Sequence, residues 1–123
     1  MEDYILKEID KIGMILQKIA IKLKIMDENK VNAGCTMRDI KAAFTEYGLN
    51  FDPAAVLSEK HPVSFLVDTL HLSDEALELF VLTMLHSDIP EASKQRLLSD
   101  SITYLDSKGT YSFSLHSMMS RTL

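Results

Sequence analysis

The four histidines, His61, His71, His86 and His116, and the single cysteine, Cys35, are where nucleophilic, acid–base or metal chemistry would begin in this sequence. Zinc sites need His and Cys at ligand spacing, as in H-E-x-x-H, and no such pairing occurs. Each histidine has a structural reading instead. His61 precedes Pro62 at a helix start, and His71 lies in a His-Leu-Ser-Asp turn. His86 falls in a helix's last turn, where an imidazolium suits the macrodipole. Cys35 stands just before a helix N-terminus, a field that lowers a thiol pKa. A nucleophilic cysteine also needs a base and a group to orient it, and the spacing identifies neither. It is therefore read as a small residue packed against the helix start. The acid pairs Asp27/Glu28 and Asp74/Glu75 are adjacent in sequence, so on a helix they do not converge; capping accounts for them better. G-x-G-x-x-G, G-x-x-x-x-G-K and G-x-S-x-G are all missing. The reading is a non-enzymatic chain with no catalytic, cofactor-binding or metal-ligating residue assigned.

The elements that carry these residues read as helices throughout. Ile5, Ile9, Ile12, Leu16, Ile19, Leu23 and Met26 form a heptad seam over three heptads, which predicts a helix over about residues 3–27. At 1.5 Å per residue such a helix is about 37 Å long. Further apolar residues, Met14, Ile15, Ala20 and Ile21 among them, lie off the seam, so the helix is apolar around more than half its circumference. Gly13 in its interior costs about 1 kcal/mol against Ala and points to a close helix crossing. Acids lead this helix and Lys18, Lys22 and Lys24 end it, as the macrodipole favours.

Punctuation marks the rest. Thr36-Met-Arg-Asp39 reads as a capping box, and Gly48 as the residue just past the end of that helix. Asp52-Pro53 opens a short helix to about residue 59, and His61-Pro62 opens another carrying Phe65, Leu66 and Leu70. Ser73-Asp-Glu starts a helix whose residues 76–85 are apolar almost all round, the mark of a central core helix. Asp88-Ile-Pro-Glu91 is read as the cap of a last long helix to about residue 106, closed by Lys108-Gly109. The two helices of 74–106, joined by about three residues, form an antiparallel hairpin. In the tail, 110–123, Tyr111 to Leu115 alternate apolar and polar, which fits either an extended arm or the lead into a final turn at 115–119.

Composition bounds the whole. With 123 residues, 46% apolar and 25% charged, the chain has the content of one soluble domain, 1–123. The fold class expected is all-α, a helical bundle or short solenoid-like stack with a long N-terminal helix. Thirteen basic against eighteen acidic residues give a net charge of −5, against a nucleic-acid partner. No stretch is long and apolar enough for a membrane span, the first residues do not resemble a signal peptide, and the lone cysteine fits a reducing compartment; cytoplasmic is the expected address.

The opening Asp3-Tyr-Ile-Leu-Lys-Glu-Ile-Asp-Lys-Ile-Gly13 and the later Gly48-Leu-Asn-Phe51, ahead of a helical hairpin, resemble a family of small bacterial all-helical proteins of unknown function. The likeness spans about residues 3–20 and 44–106. It implies an all-α fold with tetratricopeptide-like packing in the hairpin, and it carries over neither an activity nor a functional residue.

The functional expectation rests on the N-terminal helix. Its two apolar faces exceed what one core of this size covers, and large exposed patches mark interfaces. The sequence therefore points to an interaction protein, a homodimer joined by Ile9, Leu16 and Leu23 with Met14 and Ile21 on the flank. The alternative is a module binding a small molecule or peptide in a groove between the N-terminal helix and the 74–106 hairpin.

Overall fold

The computed structural model describes residues 11–23, 36–110, 112 and 115–118. In chain order these form α1 (Lys11–Lys22), α2 (Met37–Glu46), α3 (Pro53–Leu57), α4 (Pro62–Ser64), a π-helical turn (Phe65–Thr69), α5 (Asp74–Leu85) and α6 (Glu91–Ser107). One more helical turn covers 115–118, and no strand occurs among the described residues. The fold is all-α. The first ten residues, 24–35 and Cys35 with them, lie outside the described residues, as does most of the remaining tail. Within the described part the N-terminal helix ends at Lys22, with Leu23 in a turn.

The most apolar segment takes the centre. Along α5, Ala76, Leu77 and every residue from Phe80 to Leu85 are buried. Fully burying each Leu, Phe or Met contributes about 1.5–3 kcal/mol, so this helix dominates the core. α1 and α6 both pack against it, and α4 packs on α6. α1 lies close to α5 at Gly13, where an added Cβ would stand at ordinary contact distance, 3.5 Å from the Ala76 Cβ and 3.9 Å from the Ser73 hydroxyl. Two buried hydroxyls on the hairpin are satisfied within their own helices. Thr83 donates to the Leu79 carbonyl at 2.8 Å and Ser101 to the Leu97 carbonyl at 2.7 Å. Phe44 of α2, Phe51 and Phe80 of α5 form an aromatic cluster, with centroids 5.3–6.4 Å apart and the Phe44–Phe51 pair edge-on at 81°.

The expected caps form where the donors are local. Thr36 and Asp39 make a reciprocal capping box at 3.1 Å, Asp52 accepts from the Ala54 N–H at 2.9 Å, and Ser73 accepts from the Ala76 N–H at 3.2 Å. Gly48 (φ 82°) and Gly109 (φ 78°) end α2 and α6 in the left-handed conformation. Each is followed by a returning N–H, Leu49 to the Phe44 carbonyl and Thr110 to the Leu105 carbonyl, both at 2.9 Å.

Asp88 departs from the sequence reading. It does not cap α6, whose N-cap is Pro90 with no side-chain hydrogen bond. Its carboxylate instead accepts the Met37 N–H at 2.9 Å, so the hairpin turn caps α2 from fifty-one residues away. The reason is that Pro90 has no N–H and its ring fixes the entry to α6, leaving the Asp88 side chain to an orphan donor elsewhere. The helix opened by Asp52-Pro53 also stops at Leu57, short of 59. The helix opened by Pro62 passes after Ser64 into the π turn, where Leu70 N–H bonds the Phe65 carbonyl at 3.2 Å. His71 then takes a left-handed conformation (φ 56°), and Leu72 N–H returns to the Leu66 carbonyl at 3.1 Å.

The segment after α6 folds back on α5. Asp74 receives Lys108 Nζ at 2.9 Å on one carboxylate oxygen and the Thr110 hydroxyl at 3.2 Å on the other. A helical turn covers 115–118, with Leu115 fully buried; the extended-arm reading falls on Tyr111, Phe113 and Ser114, which lie outside the described residues.

Candidate functional site

α1 carries the surface that the sequence singles out, and its faces divide cleanly. Leu16, Ile19 and Ala20 are fully buried against the core, with Ile12, Ile15 and Leu23 half-buried beside them. Met14 at 58% and Ile21 at 65% exposure are the exposed large hydrophobic side chains among the described residues. They stand seven positions apart on one face with exposed Gln17 and Lys18 between them. Two helical turns separate them, about 10 Å along the axis.

The expected interface residues are thus not one surface. Met14 and Ile21 are on the outside, Leu16 is in the interior, Leu23 is half-buried against the core, and Ile9 lies outside the described residues. Assigning Leu16 to a contact with another chain is corrected by this placement. The described part of the heptad seam does meet another helix, and that helix is α5 of the same chain.

The end of α1 is tied to α2. Lys22 donates to the Glu46 carboxylate and lies over the Tyr47 ring, 5.6 Å from its centroid. The hydrogen bond to Glu46, more than any other cause, holds the Lys22 ammonium above the usual lysine range. A matching pair closes the hairpin, where Asp74 first and Tyr104 second raise Lys108 in the same way.

A groove is expected from the sequence between the N-terminal helix and the hairpin; over the described residues α1 packs directly on α5, with Gly13 beside Ala76. Concave surface opens elsewhere, on both sides of the loop after α2. One open cleft, about 300 Å³, lies between α1, this loop and the end of the π turn; Ile12, Ile15, Leu49, Phe51 and Leu70 line it, with Lys11 at its edge. The second, about 370 Å³, lies between α2 and α3 and includes Phe44, Leu49 and Pro53. Lys41 and Asp52 on its wall are 3.9 Å apart and answer each other's charge. Sequence reasoning did not anticipate either cleft. Its available signal was Gly48-Leu-Asn-Phe51, a short connection that turns sharply at Gly48 and carries two large apolar residues.

The histidines do not converge. His61 and His71 are exposed on separate turns. His86 donates from Nδ1 to the Leu82 carbonyl at 2.8 Å, and His116 Nε2 lies 3.5 Å from Asp106 Oδ1. Among the described residues no three of His, Cys, Asp and Glu are grouped so as to hold a metal ion. Nor is any described helix long and apolar enough to cross a membrane. Compared with known proteins, the chain matches no family model, no curated protein and no solved structure.

Proposed function

We propose that this chain is a non-enzymatic helical interaction module that pairs with a second copy of itself through the outer face of α1. The observation that carries the reading is the exposure of Met14 and Ile21, at 58% and 65%, on one face of a helix whose other apolar residues are buried or half-buried. The arrangement suits a two-fold contact. With two α1 helices antiparallel, Met14 of one copy meets Ile21 of the other, and the same pair repeats across the axis. Lys18, between them, lays its methylene stem along the apolar strip and keeps its ammonium in water.

Light scattering after size exclusion, at about 100 μM protein, tests this. A mass near twice 13.9 kDa is expected, falling to 13.9 kDa when Met14 and Ile21 are both changed to Asp. A wild-type mass of 13.9 kDa at that concentration refutes the pairing.

The cleft of about 300 Å³ beside α1 favours a second reading, a module that binds a small apolar ligand there. Its apolar walls come from three separate elements, and Lys11 at the edge suits a ligand bearing an anionic group. Under this reading Ile15→Asp abolishes binding while Met14→Asp leaves it intact, the reverse of what pairing through α1 requires.

A further inference from the structure

The two clefts beside the loop after α2 share a wall and differ in charge. Leu49, Asn50 and Phe51 line both the cleft of about 300 Å³ next to α1 and the cleft of about 370 Å³ between α2 and α3. In the second cleft Lys41 is answered by Asp52 at 3.9 Å. In the first, Lys11 is the one charged side chain of the lining, and no carboxylate joins it there. Nor does Lys11 enter an ion pair with any acid among the described residues. The other polar groups of this cleft are the Asn50 amide and the Thr69 hydroxyl, both able to donate. Its positive character is local, because the whole chain carries a net charge of −5. Irregular backbone builds its far wall. Leu70 closes the π turn, with its N–H on the Phe65 carbonyl at 3.2 Å, and His71 follows in the left-handed conformation at φ 56°. Strained residues and π-helical turns gather at functional sites, and this one brings Thr69 and Leu70 to the cleft.

We propose that the cleft next to α1 binds a small apolar monocarboxylate, its carboxylate at Lys11 and its apolar body against Ile15, Leu49, Phe51 and Leu70. The proposal rests on the second reading given above and narrows it to one class of ligand. A single ammonium with neutral donors nearby suits a monoanion. A phosphate dianion is met by several cations, by a bidentate arginine or by a row of free backbone N–H groups, and none of these lines the cleft. About 300 Å³ is the small end of ligand pockets, which fits one short acyl chain. The second cleft has the same apolar wall, but its lysine is already paired, so it gives a carboxylate no advantage. Charge, not apolar surface, therefore decides between the two.

The test titrates the full chain with octanoate, octylammonium and octanol at neutral pH and millimolar concentration, and reads backbone amide shifts by NMR. Octanoate should move the amides of Ile15, Leu49 and Leu70 and bind more tightly than octylammonium, although the net charge of the chain favours the cation. The ratio of octanoate to octanol affinity should fall about threefold in Lys11→Gln, the size of an exposed ion pair, and hold in Lys41→Gln. Lys11 is exposed, so its replacement leaves the core intact, and the same spectra report the fold of each variant. If octanol binds at these amides while octylammonium equals or exceeds octanoate, the cleft remains a ligand site and the preference for a carboxylate is overturned. A ratio unchanged in Lys11→Gln, or octanoate shifts centred on Lys41 and Thr45, overturns it too. Should none of the three probes move the amides of the cleft, the proposal and the reading beneath it both fail.

Discussion

Gly13 lies where α1 meets α5, and two substitutions there should move stability in opposite directions. A methyl added at Gly13 would stand 3.5 Å from the Ala76 Cβ, 3.9 Å from the Ala76 Cα and 3.9 Å from the Ser73 hydroxyl. All three are ordinary van der Waals separations, each worth about 0.1–0.2 kcal/mol. Replacing a helical glycine by alanine also gains about 1 kcal/mol of propensity. Gly13→Ala should therefore stabilise the chain by about 1 kcal/mol, raising its melting temperature by about 4 °C. Leucine has nearly the same intrinsic helix propensity as alanine, so at an open helix position the two variants would coincide. At this crossing the leucine's outer carbons must enter space held by Ala76 and Ser73, an overpacking cost of about 1–3 kcal/mol. Urea denaturation followed by far-UV circular dichroism measures all three proteins. Ala and Leu variants of equal stability would refute the close crossing, and with it the account of why the seam of α1 faces inward.

Two further outcomes follow from the placement of charges. Asp88→Ala removes the acceptor of the Met37 N–H, so it should cost about 1 kcal/mol and speed hydrogen exchange at the start of α2 while leaving α6 unchanged; loss of protection at the start of α6 instead would restore Asp88 as that helix's cap. Lys22 and Lys108 are both raised by their carboxylate partners, so their stabilisation is complete below the unfolded lysine value of about 10.4 and is lost as pH climbs through the raised folded values. Comparing the wild type with the Lys22→Gln, Lys108→Gln double variant, the small stability difference present at about pH 8 should shrink as pH rises past the unfolded lysine value of about 10.4, and a difference that stays constant through that rise refutes it.

The punctuation of this fold was legible because its partners are neighbours in the chain. Thr36 with Asp39, Asp52 with Ala54, and Ser73 with Ala76 are separated by two or three residues, and each cap forms as its spacing implies. Gly48 and Gly109 act through the preceding helical turn, again a local relation. The long-range contacts left no such trace. Asp88 to Met37 spans fifty-one residues, and the bonds tying Asp74 and Glu78 to Lys108, Thr110 and Ser112 span thirty-four to thirty-six. A carboxylate in the sequence shows that an orphan N–H will be met, without showing which helix owns it. The π turn was invisible for a related reason: Phe65–Thr69 has ordinary helical composition, and nothing local in it announces the wider turn or the left-handed His71 that follows.

The same limit governs the candidate interface. Periodicity identifies the apolar stripe of α1 and is silent on which helix covers it. Because α5 is apolar around most of its circumference, it needs more than α6 to bury it, and α1 supplies Leu16, Ile19 and Ala20. The surface left for another copy, on the described residues, is Met14 and Ile21 with the stems of Gln17 and Lys18. A stable protein–protein contact buries about 800 Å² on each partner, several times what two side chains present. The pairing proposed through this face should therefore be concentration-dependent and not obligate. The weight-average mass should slide toward 13.9 kDa on dilution to about 1 μM, while the folded monomer, whose core is complete without the partner, keeps its helical signal unchanged.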